Sequence, residues 1–299
     1  MPARIIVFGG TGMLGHQIVR ELGEAGHYVV AVARRTEIST QVRDCFFGHC
    51  DLRTGVDIAD IETVGQIISE VRPDWIVNAA GLIKQRSGTE TEFEKVNADF
   101  PHQLALLAQK DAARIVQIST DCVFSGQRGG YSTSDNVDPV DAYGLSKQAG
   151  ELAAPNVTVR TSIVGREIYG GLGLLEWFLA QTGTVAGHEN AFFTGISTLV
   201  FARAIEQTIS CNLDGGLYHL PGPRIDKASL LQVFCEAFEV DLAIQPSPTP
   251  RVDRSLVGDW PAPLLGPPDW PTMIAELASL SGSYDRVRMH EYQHEKSAS

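Results

Sequence analysis

The chain has 299 residues, 43% of them hydrophobic and 20% charged, which is ordinary for a folded protein and long enough to bury a core without disulfide or metal staples. Its 24 Lys and Arg face 36 Asp and Glu, a net charge of -12. Such a balance repels phosphate backbones and anionic lipid, so no nucleic acid and no membrane is expected as a partner, while a small anionic ligand held by a local cluster of donors stays open.

In chain order, Arg4–Phe8 is a short apolar run ending in glycines, which predicts a buried parallel strand. Met13–Ala25 carries apolar residues at helical spacing, and Tyr28–Ala33 is the next strand. The alternation continues through a helix at Val64–Val71, a strand at Trp75–Val77, a helix at Phe93–Lys110 and a strand at Arg114–Ile118. A helix at Tyr143–Ala153 and a strand at Val157–Arg160 complete it. Alternating strands and helices predict an α/β fold with a doubly wound parallel Rossmann sheet, the nucleotide-binding domain spanning 1–161. Past Thr161 the rhythm weakens to helices at Leu174–Gln181, Leu199–Ile209 and Lys227–Phe238, with eight prolines between Pro246 and Pro271. That pattern predicts a smaller C-terminal substrate-binding lobe over 162–280, and residues 281–299 read as a polar, flexible tail.

Gly9, Gly12 and Gly15 form GxxGxxG between the first strand and the first helix. Dinucleotide binding needs that spacing, for a tight turn, close backbone approach to a pyrophosphate, and a helix N-terminus aimed at the anion. The loop Gly9, Thr11, Gly12, Met13, Leu14 and Gly15 is therefore expected to bind the cofactor. NAD binding would want an acidic residue about 20 positions further on. The second strand instead ends Ala33-Arg34-Arg35, and guanidinium groups there suit a 2′-phosphate. NADP(H) is thus expected over NAD(H), which stays open as the alternative, as does a plain solvated arginine pair. Asp51 with Leu52 is expected at the adenine, and the small residues Ala79, Ala80 and Gly81 after the fourth strand leave room for the dinucleotide.

Ser119-Thr120-Asp121 ends the fifth strand, and Tyr143-Gly144-Leu145-Ser146-Lys147 opens the next helix. Tyr143 and Lys147, four apart, share a helix face. An ammonium beside a phenol is expected to lower the phenol's pKa toward working pH, giving a proton donor for a carbonyl reduced by hydride. Lys147 also suits the nicotinamide ribose, and Thr120 the carbonyl oxygen. Taken alone, YxxxK reads equally well as an exposed helix pair.

GGTGMLG, VNAAG, ISTDCVFSG and YGLSK in this order resemble the extended short-chain dehydrogenase/reductase superfamily. STDCVFSG followed by DPVDAYGLSKQAGE is similar to its dTDP-4-dehydrorhamnose reductase family. The resemblance implies NADPH-dependent reduction of the C4 keto group of a nucleotide-activated 4-keto-6-deoxy sugar, with Thr120, Tyr143 and Lys147 as catalytic triad. It also implies a sugar-nucleotide pocket, for which Lys84, Ser119, Thr120, Trp177 and Arg254 are candidates. Lys84 and Arg254 read equally as surface charge. The interval from Thr120 to Tyr143, the segment Gly81–Gln85 and the segment Leu174–Phe178 depart from the rhamnose enzyme's pattern, which bears on the sugar. A sugar-nucleotide epimerase is a close mechanistic relative, and the NADP-binding regulatory subunit of methionine adenosyltransferase keeps similar motifs without sugar turnover. A homodimer is the family expectation.

The five cysteines, Cys45, Cys50, Cys122, Cys211 and Cys235, are odd in number and form no CxxC, as expected of buried thiols in a reducing compartment. With no leader ahead of the first strand and no apolar run near the ~20 residues of a membrane span, a cytoplasmic location is expected. No metal is assigned, and His219, His290 and His294 read as isolated surface positions.

Overall fold

The structure, a computed structural model, describes residues 2–85, 88–261 and 266–288. Strands β1 (Arg4–Phe8), β2 (Tyr28–Val32), β3 (Asp51–Arg53), β4 (Trp75–Asn78), β5 (Arg114–Thr120) and β6 (Val157–Thr161) lie parallel in the order β3-β2-β1-β4-β5-β6, with Gly216–His219 paired outside β6. Strand order reverses between β1 and β4, so their carboxyl ends open a crevice where ligands bind in such sheets. Asp51 and Leu52, expected at the adenine, lie within β3 itself.

β1 feeds both faces of the sheet because successive side chains alternate. Ile5 and Val7 enter one core with α1 (Gly15–Glu24) and α2 (Thr40–Phe46), and Ile6 and Phe8 enter the other with α3 (Ile61–Val71). The expected helix at Phe93–Lys110 is broken into α4 (Glu90–Glu94), a π-helical turn Lys95–Asp99, and α5 (Phe100–Ala108). α6 (Ala142–Ala149) stops four residues short of expectation at Gly150, where any Cβ would strike the Asn97 carbonyl.

Beyond β6 come α7 (Leu174–Leu179), α8 (Thr198–Ser210), α9 (Lys227–Phe238) and α10 (Trp270–Ser279). This part of the chain also carries a small three-stranded sheet of Ala191–Phe193 between Ile225–Asp226 and Val252–Asp253. It returns to the main sheet as well, through Gly216–His219, and α8 packs on α1. Residues 281–288 correct the expected tail: they are helical, and Tyr284 and Val287 are buried against the core. His219 is corrected too, being fully buried with its ring nitrogens facing Arg160, Tyr131 and Val257. Residues 289–299, with His290 and His294, lie outside the described residues. Among the described residues no helix is long and apolar enough to cross a membrane, and all five cysteines are free thiols, though the expected burial is corrected: four are only partly buried and Cys211 is exposed.

Candidate active site

The glycine loop is shaped by close approach. Gly9 has φ +75°, and a Cβ there would lie 2.6 Å from the Ala80 amide nitrogen, so the ends of β1 and β4 meet only over glycine. Gly12 donates its N–H to the Gly9 carbonyl at 2.9 Å, and a Cβ on Gly15 would collide with that same carbonyl. α1 therefore starts directly on the loop. Its first turn has no side-chain cap and no acidic residue, so no carboxylate competes with an anion at the positive end of the helix dipole. Thr11 and Met13 are partly buried and Leu14 is buried.

Arg34 and Arg35 are exposed past β2, and the Arg35 guanidinium stacks 3.9 Å over the Tyr169 ring. Asp51 gives one carboxylate oxygen to Arg53 at 2.9 Å, and Arg53 continues to Glu70. Leu52 beside it is partly buried. Ala79 donates to the Phe8 carbonyl, holding Ala79, Ala80 and Gly81 across the crevice from the glycine loop.

Asn97, which the motif reading missed, ties this edge together. From the π-helical turn its amide accepts from Leu82 N (2.9 Å) and donates to Leu82 O (3.1 Å) and Ser146 Oγ (3.1 Å). It thereby locks the loop after β4 to the helix carrying Tyr143 and Lys147. The only sequence signal is the run Lys95-Val96-Asn97-Ala98 inside a helical pattern, with nothing local to mark Asn97 as buried.

β5 delivers Thr120, whose hydroxyl accepts from Cys122 N at 3.1 Å and caps the turn Asp121–Val123. Asp141 caps α6 through Gly144 N at 2.8 Å. A Cβ on Gly144 would strike the Cys122 carbonyl and lie 2.9 Å from Pro139 Cβ, so α6 reaches the Thr120 turn only because this residue is glycine. Gly144→Ala is expected to cost about 1–3 kcal/mol of stability. It should also cut turnover, because Tyr143 is pushed off Thr120; thermal unfolding and kcat of the purified variant check both.

The two catalytic candidates on α6 are desolvated. Burial, with the charges of Cys122, Asp121 and Asp141 acting the same way, raises the Tyr143 phenol above its ordinary pKa, and a polar contact from Thr120 opposes only part of that. The expectation that Lys147 lowers this phenol is corrected. The Lys147 ammonium donates instead to the Ile118 carbonyl at 2.6 Å, and burial lowers its own pKa to about 8, with Glu151 opposing. Tyr143 is therefore a neutral phenol at working pH, the form that can donate a proton.

Of the proposed sugar contacts, Thr120 lies in the crevice and Arg254 reaches its edge, donating from Nε to the Phe124 carbonyl at 2.9 Å. Lys84 pairs with Asp141 at 2.6 Å, at the cap of the catalytic helix. Ser119 is not brought to the crevice: its hydroxyl donates inward to Glu151 at 2.6 Å, and Glu151 also takes both Nε and Nη2 of Arg160. Trp177 stands 40% exposed on α7 without a ring contact to the triad among the described residues.

A family model described as the RmlD substrate binding domain matches residues 3–172. The chain belongs to this family. It is 33% identical over 172 residues to a Haloferax volcanii protein named probable low-salt glycan biosynthesis reductase Agl14, covering 56% of this chain and 54% of that one. It is 32% identical over 156 residues to the dTDP-4-keto-6-deoxy-D-glucose reductase of Streptomyces niveus, covering 51% and 48%. The chain thus spans about half the length of the curated relatives it matches. The fold is shared with the dTDP-4-dehydrorhamnose reductase of Bacillus anthracis, solved in complex with NADP, at TM-score 0.77 and 22% identity over 93% of this chain and 99% of that one. The RmlD match takes in the glycine loop, Thr120, Tyr143 and Lys147, and it ends before Trp177, Lys227 and Arg254.

Proposed function

We propose that the protein reduces the C4 carbonyl of a nucleotide-activated 4-keto-6-deoxy sugar with NADPH. The observation that carries this reading is the neutral, partly buried Tyr143 phenol set beside Thr120 at the carboxyl edge of a sheet whose first strand ends in a glycine loop shaped for a dinucleotide. Relatives named as reductases of such sugars support it. The division of labour follows: residues 1–161 hold the cofactor and 162–280 mainly the sugar nucleotide.

The residues fit NADP(H). Gly9 and Gly15 leave a cradle that a Cβ would fill, the first turn of α1 is uncapped, and Arg34 and Arg35 stand where β2 ends without a carboxylate. When bound, the reduced nicotinamide supplies the hydride. Thr120 orients the carbonyl oxygen by hydrogen bonding, and Tyr143 gives that oxygen a proton as negative charge develops on it. Lys147, placed by its bond to the Ile118 carbonyl, holds the ribose hydroxyls. Asn97 and Asp141 fix α6 so that these groups arrive together.

The test is NADPH consumption with a panel of dTDP-, UDP- and GDP-linked 4-keto-6-deoxy sugars. Oxidation with one of them names the substrate; tight NADPH binding without oxidation of any sugar overturns the reading in favour of a cofactor-binding regulatory protein. Replacing Arg34 and Arg35 together by Ala is expected to weaken NADPH binding about 10–100-fold, the size of lost charge-assisted hydrogen bonds, with NADH little changed. The ratio of kcat/KM for the two cofactors reads this directly. A homodimer in the cytoplasm is the assembly and location proposed with this activity.

A further inference from the structure

Arg35, past the end of β2, and Arg288, in the helix at 281–288, come from early and late in the chain to the wall of one cavity of about 410 Å³. Tyr169, Gly171 and Glu176 also line it. The volume is that of a small-molecule pocket. It adjoins the dinucleotide cradle on two sides. The loop that supplies Tyr169 and Gly171 runs on to Gly173, where a Cβ would lie 3.2 Å from the Met13 sulfur in the glycine loop. The helix that supplies Arg288 packs on α1 through Tyr284, which meets His16 and Gln17.

Charge in this cavity is not balanced. Glu176 is the one carboxylate among its lining residues, and Arg166 already pairs with that group from the core at 2.7 Å, with the Glu167 N–H donating at 3.0 Å. Arg288 brings a second guanidinium to the same carboxylate at 2.6 Å, so Arg166, Glu176 and Arg288 together carry a surplus positive charge. Arg288 Nη2 also donates to the Glu167 carbonyl at 3.3 Å, and the Glu167 carboxylate is engaged by the Gly171 and Gly173 N–H groups. The side chains of Arg166 and Glu176 are 3% and 2% exposed, that of Arg288 40%, so the surplus faces the cavity. Arg35 adds its own charge, with its guanidinium 3.9 Å over the Tyr169 ring. Stacking occupies the face of a guanidinium and leaves its in-plane N–H groups to an anion. An uncharged ribose hydroxyl would leave both cations facing each other across this space; a phosphate satisfies them together.

We propose that Arg288 closes the far side of the 2′-phosphate site, so that the phosphate of NADP(H) sits between Arg35 and Arg288 and the C-terminal helix sets the preference for NADP(H) over NAD(H). This rests on the NADP(H)-dependent ketoreductase reading and adds to it a specificity residue from outside the family match, which ends at residue 172.

Calorimetry on the full chain tests it, comparing NADPH with NADH, and adenosine 2′,5′-bisphosphate with 5′-AMP. Arg288→Gln keeps a donor for Glu176 and removes the charge. It is expected to weaken NADPH and the bisphosphate about 10–100-fold, the size of a lost charge-assisted hydrogen bond, while NADH and 5′-AMP bind as before. Arg288→Lys, which keeps the ion pair with Glu176 and loses the guanidinium fork, should fall between Gln and wild type, and it decides the matter if the Gln variant does not fold. Equal weakening of NADPH and NADH makes Arg288 a support of the loop and overturns the proposal, as does no weakening of either. A wild type that binds the two cofactors equally overturns it too and leaves ketoreduction standing with either one. A wild type that binds neither overturns this proposal and the ketoreductase reading together. Selective loss of NADPH in a protein that reduces no keto sugar keeps the phosphate site and overturns the ketoreductase alone.

Discussion

Tyr143→Phe is expected to lower kcat for keto-sugar reduction by about 10²–10⁴-fold, the usual contribution of a positioned general acid. NADPH and sugar affinities should be nearly unchanged. The substitution removes one hydroxyl and keeps the ring that packs edge-on against Phe93 at 6.3 Å, so the fold tolerates it. Because burial raises the phenol's pKa, its proton is in place throughout the neutral range, and Tyr143 does not set the upper limit of activity. Lys147 does. With its pKa lowered to about 8, it loses its charge first as pH rises, so kcat/KM should fall above about pH 8. Stopped-flow or steady-state rates between pH 6 and 10 check this; a variant that keeps wild-type kcat would remove Tyr143 from the chemistry.

Lys147→Met should abolish turnover and yet make the protein more stable. An ordinary lysine titrates at 10.5, and here at about 8. Between these two values the unfolded chain holds a proton that the folded chain has lost, so wild-type stability rises with pH across that window. Below about pH 8 both states carry the proton and the full penalty remains, about 3 kcal/mol by the linkage relation. Methionine keeps the aliphatic stem and carries no charge, and Glu151 retains Arg160 and Ser119 as partners. Denaturant unfolding at pH 7 should therefore show the variant more stable by up to about 3 kcal/mol, with the gap closing as pH approaches 10. A variant less stable than wild type at pH 7 would show that the Ile118 contact outweighs desolvation.

What the sequence made legible was local. The glycine loop is read from spacing because each glycine answers to backbone within the same turn or the next strand, and Tyr143 and Lys147 are read from helical period. The sheet follows from short apolar runs separated by helices. What it concealed depends on distant partners. Ser119 looks like a crevice residue until Glu151, 32 positions later, takes its hydroxyl. His219 looks like surface until the Tyr131 and Val257 carbonyls close over it. Asn97 carries no motif of its own and matters through Leu82 and Ser146. The helix at 281–288 was hidden in a polar stretch in which Tyr284 and Val287 are the buried apolar residues.

That last helix also bears on how the chain matures during synthesis. Tyr284 Oη lies 2.6 Å from both His16 Nε2 and Gln17 Nε2, in the first turn of α1. Burial has lowered the His16 pKa to about 4, so this imidazole is neutral in the finished protein. α1 leaves the ribosome 268 residues ahead of this partner. Until Tyr284 emerges, the helix that anchors the dinucleotide keeps His16 and Gln17 without their buried partner, and a nascent nucleotide-binding half is left incomplete. The dinucleotide loop is therefore completed by a residue 268 positions downstream of the helix it opens.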